Sequence, residues 1–343
     1  MKIGNKQFSN KWLAAGVIVL LALVGGIVLA PYMLTSAPAE GLIKVRRGTS
    51  TATICDSVRS IEGDAFGNRV ATLLGLMNAD LSRRQGAYRI DKGMSPFKAA
   101  RYLKNGPAVG IKFTFNNVRT IDEWCDRWGK VFMGEADDMR KLLKDSAVCA
   151  QYGKTPQQMP CLLIPDTYEF YWDIEPAKML ERMHDYYEKF WTTERQNKAQ
   201  QLGITPVQTV TLASIVEEET SKADERGKVA RLYLNRLHQG MKLQADPTVK
   251  FAIGDFSIRR LTVPMTFTPS PYNTYRVEGL PPGPIRLPEK TTVDAVLNAP
   301  QHDYIYMCAK EDFSGYHNFA RDYGTHMANA HRYQAALNAR GIK

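Results

Sequence analysis

The chain holds few of the residue patterns that build common catalytic centres. Its 343 residues include only five cysteines, Cys55, Cys125, Cys149, Cys161 and Cys308, which lie far apart. No Cys-x-x-Cys pair and no Cys/His cluster occurs, which argues against zinc and dithiol redox sites. The odd count excludes a complete set of internal bridges, leaving either one bridge or buried free thiols. There is no metal motif and no phosphate-binding glycine loop. No RNP motif, zinc finger or helix-turn-helix signature appears, so nucleic acid is not expected as a partner. Internal repeats and low-complexity tracts are also missing. What remains is a chain 44% hydrophobic and 23% charged, typical of a folded protein with one large domain or two. Its net charge of +10 favours anionic surroundings such as membrane headgroups or an acidic polymer.

The N-terminus carries a location signal. Lys2, Lys6 and Lys11 precede an uncharged run from Trp12 to Ala30, followed by Pro31, Tyr32, Met33 and Leu34. A helix needs roughly 20 apolar residues to span a bilayer. Basic residues on the leading flank place a cytoplasmic tail at 1–11 and everything after about Leu34 outside. Ala37-Pro38-Ala39 resembles a cleavage site, so a removed signal peptide is the rival reading. The run exceeds the usual signal core of about 7–15 residues, which favours an uncleaved transmembrane helix over 12–34. Thr35–Glu40 then reads as a linker, and no cysteine follows the run to make a lipoprotein.

Residues 41–107 read as a small α+β module. A strand over 42–45, helices around 54–61 and 70–76, and a strand over 86–90 precede a helix opened by Ser95-Pro96 and closed by Gly106-Pro107. Val109–Phe115 alternates as a strand. The stretch from Thr120 to about Trp191 is helical and charged, interrupted over 159–168.

The sequence from Thr205 carries the strongest chemical signal. Thr205-Pro206-Val207-Gln208 fits a capping box. The helix that follows is apolar almost all round and so is expected to be buried. It ends in three consecutive carboxylates, Glu217, Glu218 and Glu219. At 100° per residue, Glu217 lines up with Val210 and Ala213, and Glu219 with Leu212 and Ile215. Glu218, in line with Thr211 and Ser214, is the one expected to face water. Burial, like-charge neighbours and the helix C-terminus all raise a carboxyl pKa, as a general acid requires. The competing reading is a solvated helix end paired with Lys222, Arg226 or Lys228. A second amphipathic helix is expected over 224–240, with Asn235 and Arg236 near its end as further candidates for substrate contact.

These residues resemble the YceG-like family of endolytic murein transglycosylases. The resemblance lies in Ala213–Thr220, Glu225-Arg226, Asn235-Arg236-Leu237 and Leu243–Val249. It continues in Pro165–Tyr168, Tyr272–Tyr275, Gly279–Ile285 and His317–His326, and it covers nearly the whole chain. It implies an α+β fold with a LysM-like module over 41–107 and a catalytic domain over 108–343. It implies a lyase that cleaves the β-1,4 bond after N-acetylmuramic acid in nascent peptidoglycan strands, ending their elongation. Glu217, the first carboxylate, is implied as the acid. The same group then takes the proton of the sugar's own C6 hydroxyl, which attacks C1 and leaves a 1,6-anhydro end. With an internal nucleophile no second catalytic carboxylate is needed, unlike ordinary glycosidases. Gln244, Asp246, Tyr272, Asn273, Thr274 and Tyr275 are implied as cleft residues, though rigid turn structure explains the 272–275 loop equally well. Glu218 stands where the family usually has lysine, and Ala245 where it usually has threonine. His317 and His326 read as structural. No metal or cofactor is implied; the partners are peptidoglycan, the cytoplasmic membrane and peptidoglycan synthases. The alternatives are a non-catalytic wall-binding scaffold and a muramidase that uses water.

Overall fold

In the computed structural model, residues 10–258 and 260–341 are described, Asn10 and Lys11 by backbone alone. Lys2 and Lys6 of the basic flank therefore lie outside the described residues. The first element, α1 (Asn10–Leu34), contains the apolar run, and its Trp12–Leu34 segment is long and apolar enough to cross a membrane. From Trp12 to Leu34 its side chains are exposed nearly throughout.

The chain then divides into two units. One comprises the residues up to Lys112 together with Glu169–Asp173, and the other comprises Phe113–Tyr168 and Ile174 onward. In the first, β1 (Gly41–Val45), α2 (Thr51–Glu62), α3 (Asp64–Leu76), β2 (Gly86–Ile90) and α4 (Pro96–Asn105) follow in order. Strands β1 and β2 pair antiparallel with Ile43 opposite Tyr88. Alternation puts Ile43 and Val45 inward, onto a core of Ile54, Val58, Val70, Leu74, Ile90 and Leu103. Both α2 and α3 begin earlier than their hydrophobic patterns predict. Ser50 caps α2 by accepting from the Thr53 N–H at 3.1 Å, which fixes the start three residues before Ile54. Ser95 caps α4 in the same way ahead of Pro96, as expected.

The second unit is mostly helical. Residues 113–115 of β3 (Gly110–Phe115) and 166–168 of β4 (Asp166–Tyr171) belong to it, and the two strands form a two-stranded sheet. The helical stretch after Thr120 resolves into α5 (Ile121–Val131), α6 (Ala136–Lys144), α7 (Ser146–Gln151), α8 (Pro176–Phe190) and α9 (Thr193–Gln201). The break over 159–168 becomes a 3₁₀ turn followed by β4. Phe113 packs edge-on to Trp124 with centroids 5.8 Å apart, and Phe115 stacks on Tyr168 at 5.6 Å. These rings supply much of the local core.

The rest of this unit contains α10 (Pro206–Glu219), α11 (Arg226–His238), α12 (Asp246–Ile253), α13 (Lys290–Leu297), an antiparallel hairpin of β5 (Tyr306–Ala309) and β6 (His317–Ala320), and α14 (Tyr323–Ala339). The capping box of α10 forms in both directions, between Gln208 N–H and Thr205 Oγ1 at 3.2 Å and between Thr205 N–H and Gln208 Oε1 at 2.8 Å. Every residue from Thr209 to Glu217 is buried, as an all-round apolar helix must be. Its polar breaks cost little because each hydroxyl bonds a carbonyl of its own helix: Thr209 to Thr205, Thr211 to Val207 and Ser214 to Thr211. Ser214 Oγ also accepts the Ile285 N–H at 3.0 Å, which pins the Gly279–Ile285 loop to α10. In that loop a Cβ on Gly283 would sit 1.9 Å from the Gln157 carbonyl oxygen, so only glycine fits.

All five cysteines are unbridged, and all but Cys308 are buried. Burial pushes the Cys125 and Cys161 thiols up to about 12, which leaves them unreactive at neutral pH.

Candidate active site

The three carboxylates that end α10 point to three different environments. Glu217 turns toward the start of α13. Its Oε2 accepts the Glu289 N–H at 2.9 Å and the Thr292 hydroxyl at 2.5 Å. Its Oε1 lies 3.0 Å from Arg286 Nε, a contact of charges without hydrogen-bond alignment. Only 4% of its side chain is exposed. A helix N-terminus, a hydroxyl and a guanidinium together satisfy a buried carboxylate.

Glu218 does not face open water. Arg286 Nη1 donates to it at 2.7 Å, and Arg119 donates through Nε and Nη2 at 3.3 and 3.2 Å. The expected partners Lys222, Arg226 and Lys228 are not used. The cations that hold the pair come from chain segments about 70 and 100 residues away, brought in by the Ile285 and Val118 loops. Leu287 N–H donates to Val118 O at 2.9 Å, which ties those two loops together.

Glu219 lies against a cavity of about 340 Å³ walled by α10, α11, the 243–246 turn, Tyr275, β5, β6 and the first turns of α14. Tyr233 Oη donates to its Oε1 at 2.6 Å. Desolvation by the surrounding protein, with Asp246 adding like charge, pushes the Glu219 carboxyl up to about 7, against the opposing pull of the Tyr233 hydrogen bond. It can therefore carry a proton near neutral pH and face a ligand at the same time.

Of the residues expected in a cleft, Gln244, Asp246 and Tyr275 line this cavity with Glu219. Tyr275 Oη donates to Asp246 Oδ1 at 2.6 Å. Gln244 adopts φ of 52° and donates its N–H to Thr274 O at 3.1 Å. That left-handed turn carries the chain sharply into α12. Asn273 and Thr274 are fully buried and do not reach the cavity. Asn273 Nδ2 donates to the carbonyls of Thr266 and Thr268 at 3.0 and 2.8 Å, and its Oδ1 accepts the Tyr275 N–H. Thr274 Oγ1 accepts the Ala245 N–H at 3.0 Å. The two side chains build the loop that presents Tyr275, Gln244 and Asp246. Tyr272 packs on Phe251 at 4.7 Å, away from the cavity wall.

Among the other wall residues, Tyr233 emerges only in three dimensions. Tyr233 reads in sequence as part of the apolar face of α11, yet its ring is buried while its hydroxyl meets Glu219. Arg236 is buried and donates from Nε to Ile305 O at 2.7 Å and from Nη1 to Leu243 O at 2.6 Å, joining α11 to the hairpin and to the 243–246 turn. His317 and His326 both reach the wall. The run Asn235-Arg236 was the available signal for the α11 side of the wall, since two polar residues interrupt an apolar pattern there.

Comparison with known proteins agrees with this architecture. The model of the YceG-like family matches residues 43–332, and the chain belongs to that family. A Bacillus subtilis protein named endolytic murein transglycosylase is 29% identical over 249 residues, covering 66% of this chain and 67% of that one. Streptococcus pneumoniae proteins of the same name are 32% identical over 111 residues, covering 31% of this chain and only 20% of theirs. A crystal structure of a YceG-like protein from Listeria monocytogenes superposes with a TM-score of 0.58 at 22% identity, over 84% of this chain and 98% of that chain. The shared fold is the α+β one described above.

Proposed function

We propose that the chain is a membrane-anchored lytic transglycosylase of peptidoglycan. It cleaves the bond between N-acetylmuramic acid and N-acetylglucosamine in nascent strands, leaves 1,6-anhydro ends and so ends strand elongation. Family membership and the names of its relatives support the reaction class. The observation that carries the mechanism is a single carboxyl, Glu219, raised to about 7 at the wall of a polar cavity.

The resemblance implies Glu217 as the acid, but the geometry supports Glu219, two residues on. Glu217 has its carboxylate filled by Arg286 and the start of α13, on the side of α10 away from the cavity. Protonated Glu219 gives its proton to the glycosidic oxygen as the bond to C1 breaks. The C6 hydroxyl of the muramyl sugar attacks C1 and loses its proton, which closes the anhydro ring without water. Asp246 carries negative charge to the cavity rim, suited to the cationic character that develops at C1. Gln244 and Tyr275 offer an amide and a hydroxyl to sugar hydroxyls.

Residues 41–107 form a LysM-like module in this proposal, and 108–343 the catalytic domain. Residues 12–34 anchor the chain in the cytoplasmic membrane, with 1–11 inside and the rest on the peptidoglycan side; the length and hydropathy of the run support this. The positive net charge suits both anionic headgroups and an anionic glycan. Peptidoglycan synthases, which make the nascent strands, are the partners this substrate brings.

A water-using muramidase is the second reading, because Asp246 places another carboxylate in the same cavity. Digestion of uncrosslinked glycan strands followed by mass analysis separates the two. Anhydro-muramyl ends are expected; reducing muramyl ends identify the muramidase, and intact strands a binding protein.

A further inference from the structure

Glu225 and His317 form a second polar pair at the cavity that the reading above leaves unused. Glu225 caps the start of α11, and His317 opens β6. Glu225 is buried, and its carboxylate takes three donors. The His317 backbone N–H reaches Oε1 at 2.9 Å, the Thr220 hydroxyl reaches Oε2 at 3.2 Å, and His317 Nδ1 lies 2.7 Å from Oε2. An ionised carboxylate only accepts, so Nδ1 carries the hydrogen in this pair. In the neutral ring Nε2 is then the acceptor. It makes no hydrogen bond to protein among the described residues. Only 15% of the side chain is exposed, and His317 lines the same cavity as Glu219.

This arrangement has the parts of a base held by a carboxylate. The tautomer is set, the ring is fixed at two points of its residue, and a countercharge waits behind it. In hydrolases that use a Ser-His-Asp triad, a buried carboxylate does the same for the histidine. A structural histidine has no need of so complete a clamp on one nitrogen while the other has no protein partner among the described residues and the residue lines the cavity of Glu219.

We infer that His317, positioned by Glu225, is the base that takes the proton of the C6 hydroxyl. The inference rests on the transglycosylase reading and divides between two groups the work that a single carboxyl would otherwise do. In the step, the C1–O4 bond breaks as the C1–O6 bond forms. Glu219 gives its proton to O4 of the departing glucosaminyl sugar, and Nε2 takes the proton of O6. Glu219 is left as the carboxylate and His317 as the imidazolium, and proton transfer between them through solvent restores the enzyme. No water is consumed and no co-reactant is needed. Glu225 is a positioning residue that touches no reacting atom.

The test uses the full chain acting on uncrosslinked glycan strands, with wild type, His317→Ala, His317→Gln and Glu225→Gln compared for kcat, KM and thermal unfolding. A removed base predicts that kcat of His317→Ala falls about 100-fold or more while KM stays near the wild-type value. Added imidazole should restore part of that kcat and should do nothing for Glu219→Gln. Glu225→Gln should show a smaller loss, also in kcat. Near-normal kcat in His317→Ala, a loss confined to KM, no response to imidazole, or failure of both His317 variants to fold each overturns the inference. If wild type itself yields no anhydro ends, the transglycosylase reading fails; if it does and His317→Ala turns over normally, only the assignment of the base fails.

Discussion

Tyr233 Oη donates a 2.6 Å hydrogen bond to Glu219 Oε1, across the gap between two helices whose partner residues stand 14 apart in sequence. The bond holds down the proton affinity of a carboxyl that desolvation pushes up to about 7. Tyr233 itself is pushed upward by burial and by the charge of Glu219, so it remains a hydroxyl donor over the working range. An acid at about 7 predicts that activity falls as pH rises through that value. Tyr233→Phe removes the lowering partner, so the alkaline limb of the pH–rate profile should move to higher pH. A limb that stays in place, measured as kcat/KM against pH, contradicts this role for Tyr233.

The same raised carboxyl has a cost in stability. A folded-state value above the unfolded one means that the native chain binds the extra proton between about 4.5 and 7. Native stability from this group is then greatest at low pH and declines as pH rises through that window. Glu219→Gln removes the titration and should stabilise the fold at pH 8 by about 2 kcal/mol, after allowance for the side chain's partial exposure to the cavity. At pH 4 the variant and wild type should unfold alike. Denaturant unfolding at the two pH values checks the sign and the difference.

Arg286 holds two of the three carboxylates at once, with 10% of its side chain exposed. Arg286→Ala leaves Glu217 buried with no cation, held only by the Glu289 N–H and the Thr292 hydroxyl, and removes one of the two guanidinium partners of Glu218. Loss of one partner from such a buried pair costs about 3–5 kcal/mol. Urea unfolding should show that loss, whereas Arg119→Ala, at a more exposed pair, should cost about 1 kcal/mol or less.

Asn273 and Asp246 separate loop construction from substrate contact. Asn273→Ala orphans the Thr266 and Thr268 carbonyls and should lower stability by about 1–3 kcal/mol. Asp246→Asn keeps the loop intact and should lower kcat/KM with little change in the unfolding midpoint. Paired melts and kinetics on the two variants test both statements.

Much of this was legible in sequence wherever the interaction is local. The capping box of α10, its burial from Thr209 to Glu217, and the start of α4 at Ser95-Pro96 all follow from residues within four positions of each other. Even the three separate directions of Glu217, Glu218 and Glu219 follow from 100° steps along a helix. What each direction meets does not. Arg119, Arg286 and the start of α13 reach the carboxylates through long loops, so the local cations Lys222, Arg226 and Lys228 were the visible but unused partners. The cavity is walled by α11, the Gln244 turn and the β5–β6 hairpin, whose convergence no periodicity encodes. Tyr233 shows why: on a helical wheel it is one more apolar residue, and only the approach of α10 turns its hydroxyl into a partner for an acid.

The central claim is that the acid is Glu219 and that Glu217 is an anchor between α10 and α13. Glu217→Gln and Glu219→Gln, each checked for folding, should be compared for release of anhydro-muramyl fragments per folded molecule. The account predicts that Glu219→Gln is folded and inactive, with kcat down about 100-fold or more. It predicts that Glu217→Gln melts earlier yet cleaves at a rate close to wild type. A folded, inactive Glu217→Gln beside an active Glu219→Gln would contradict it.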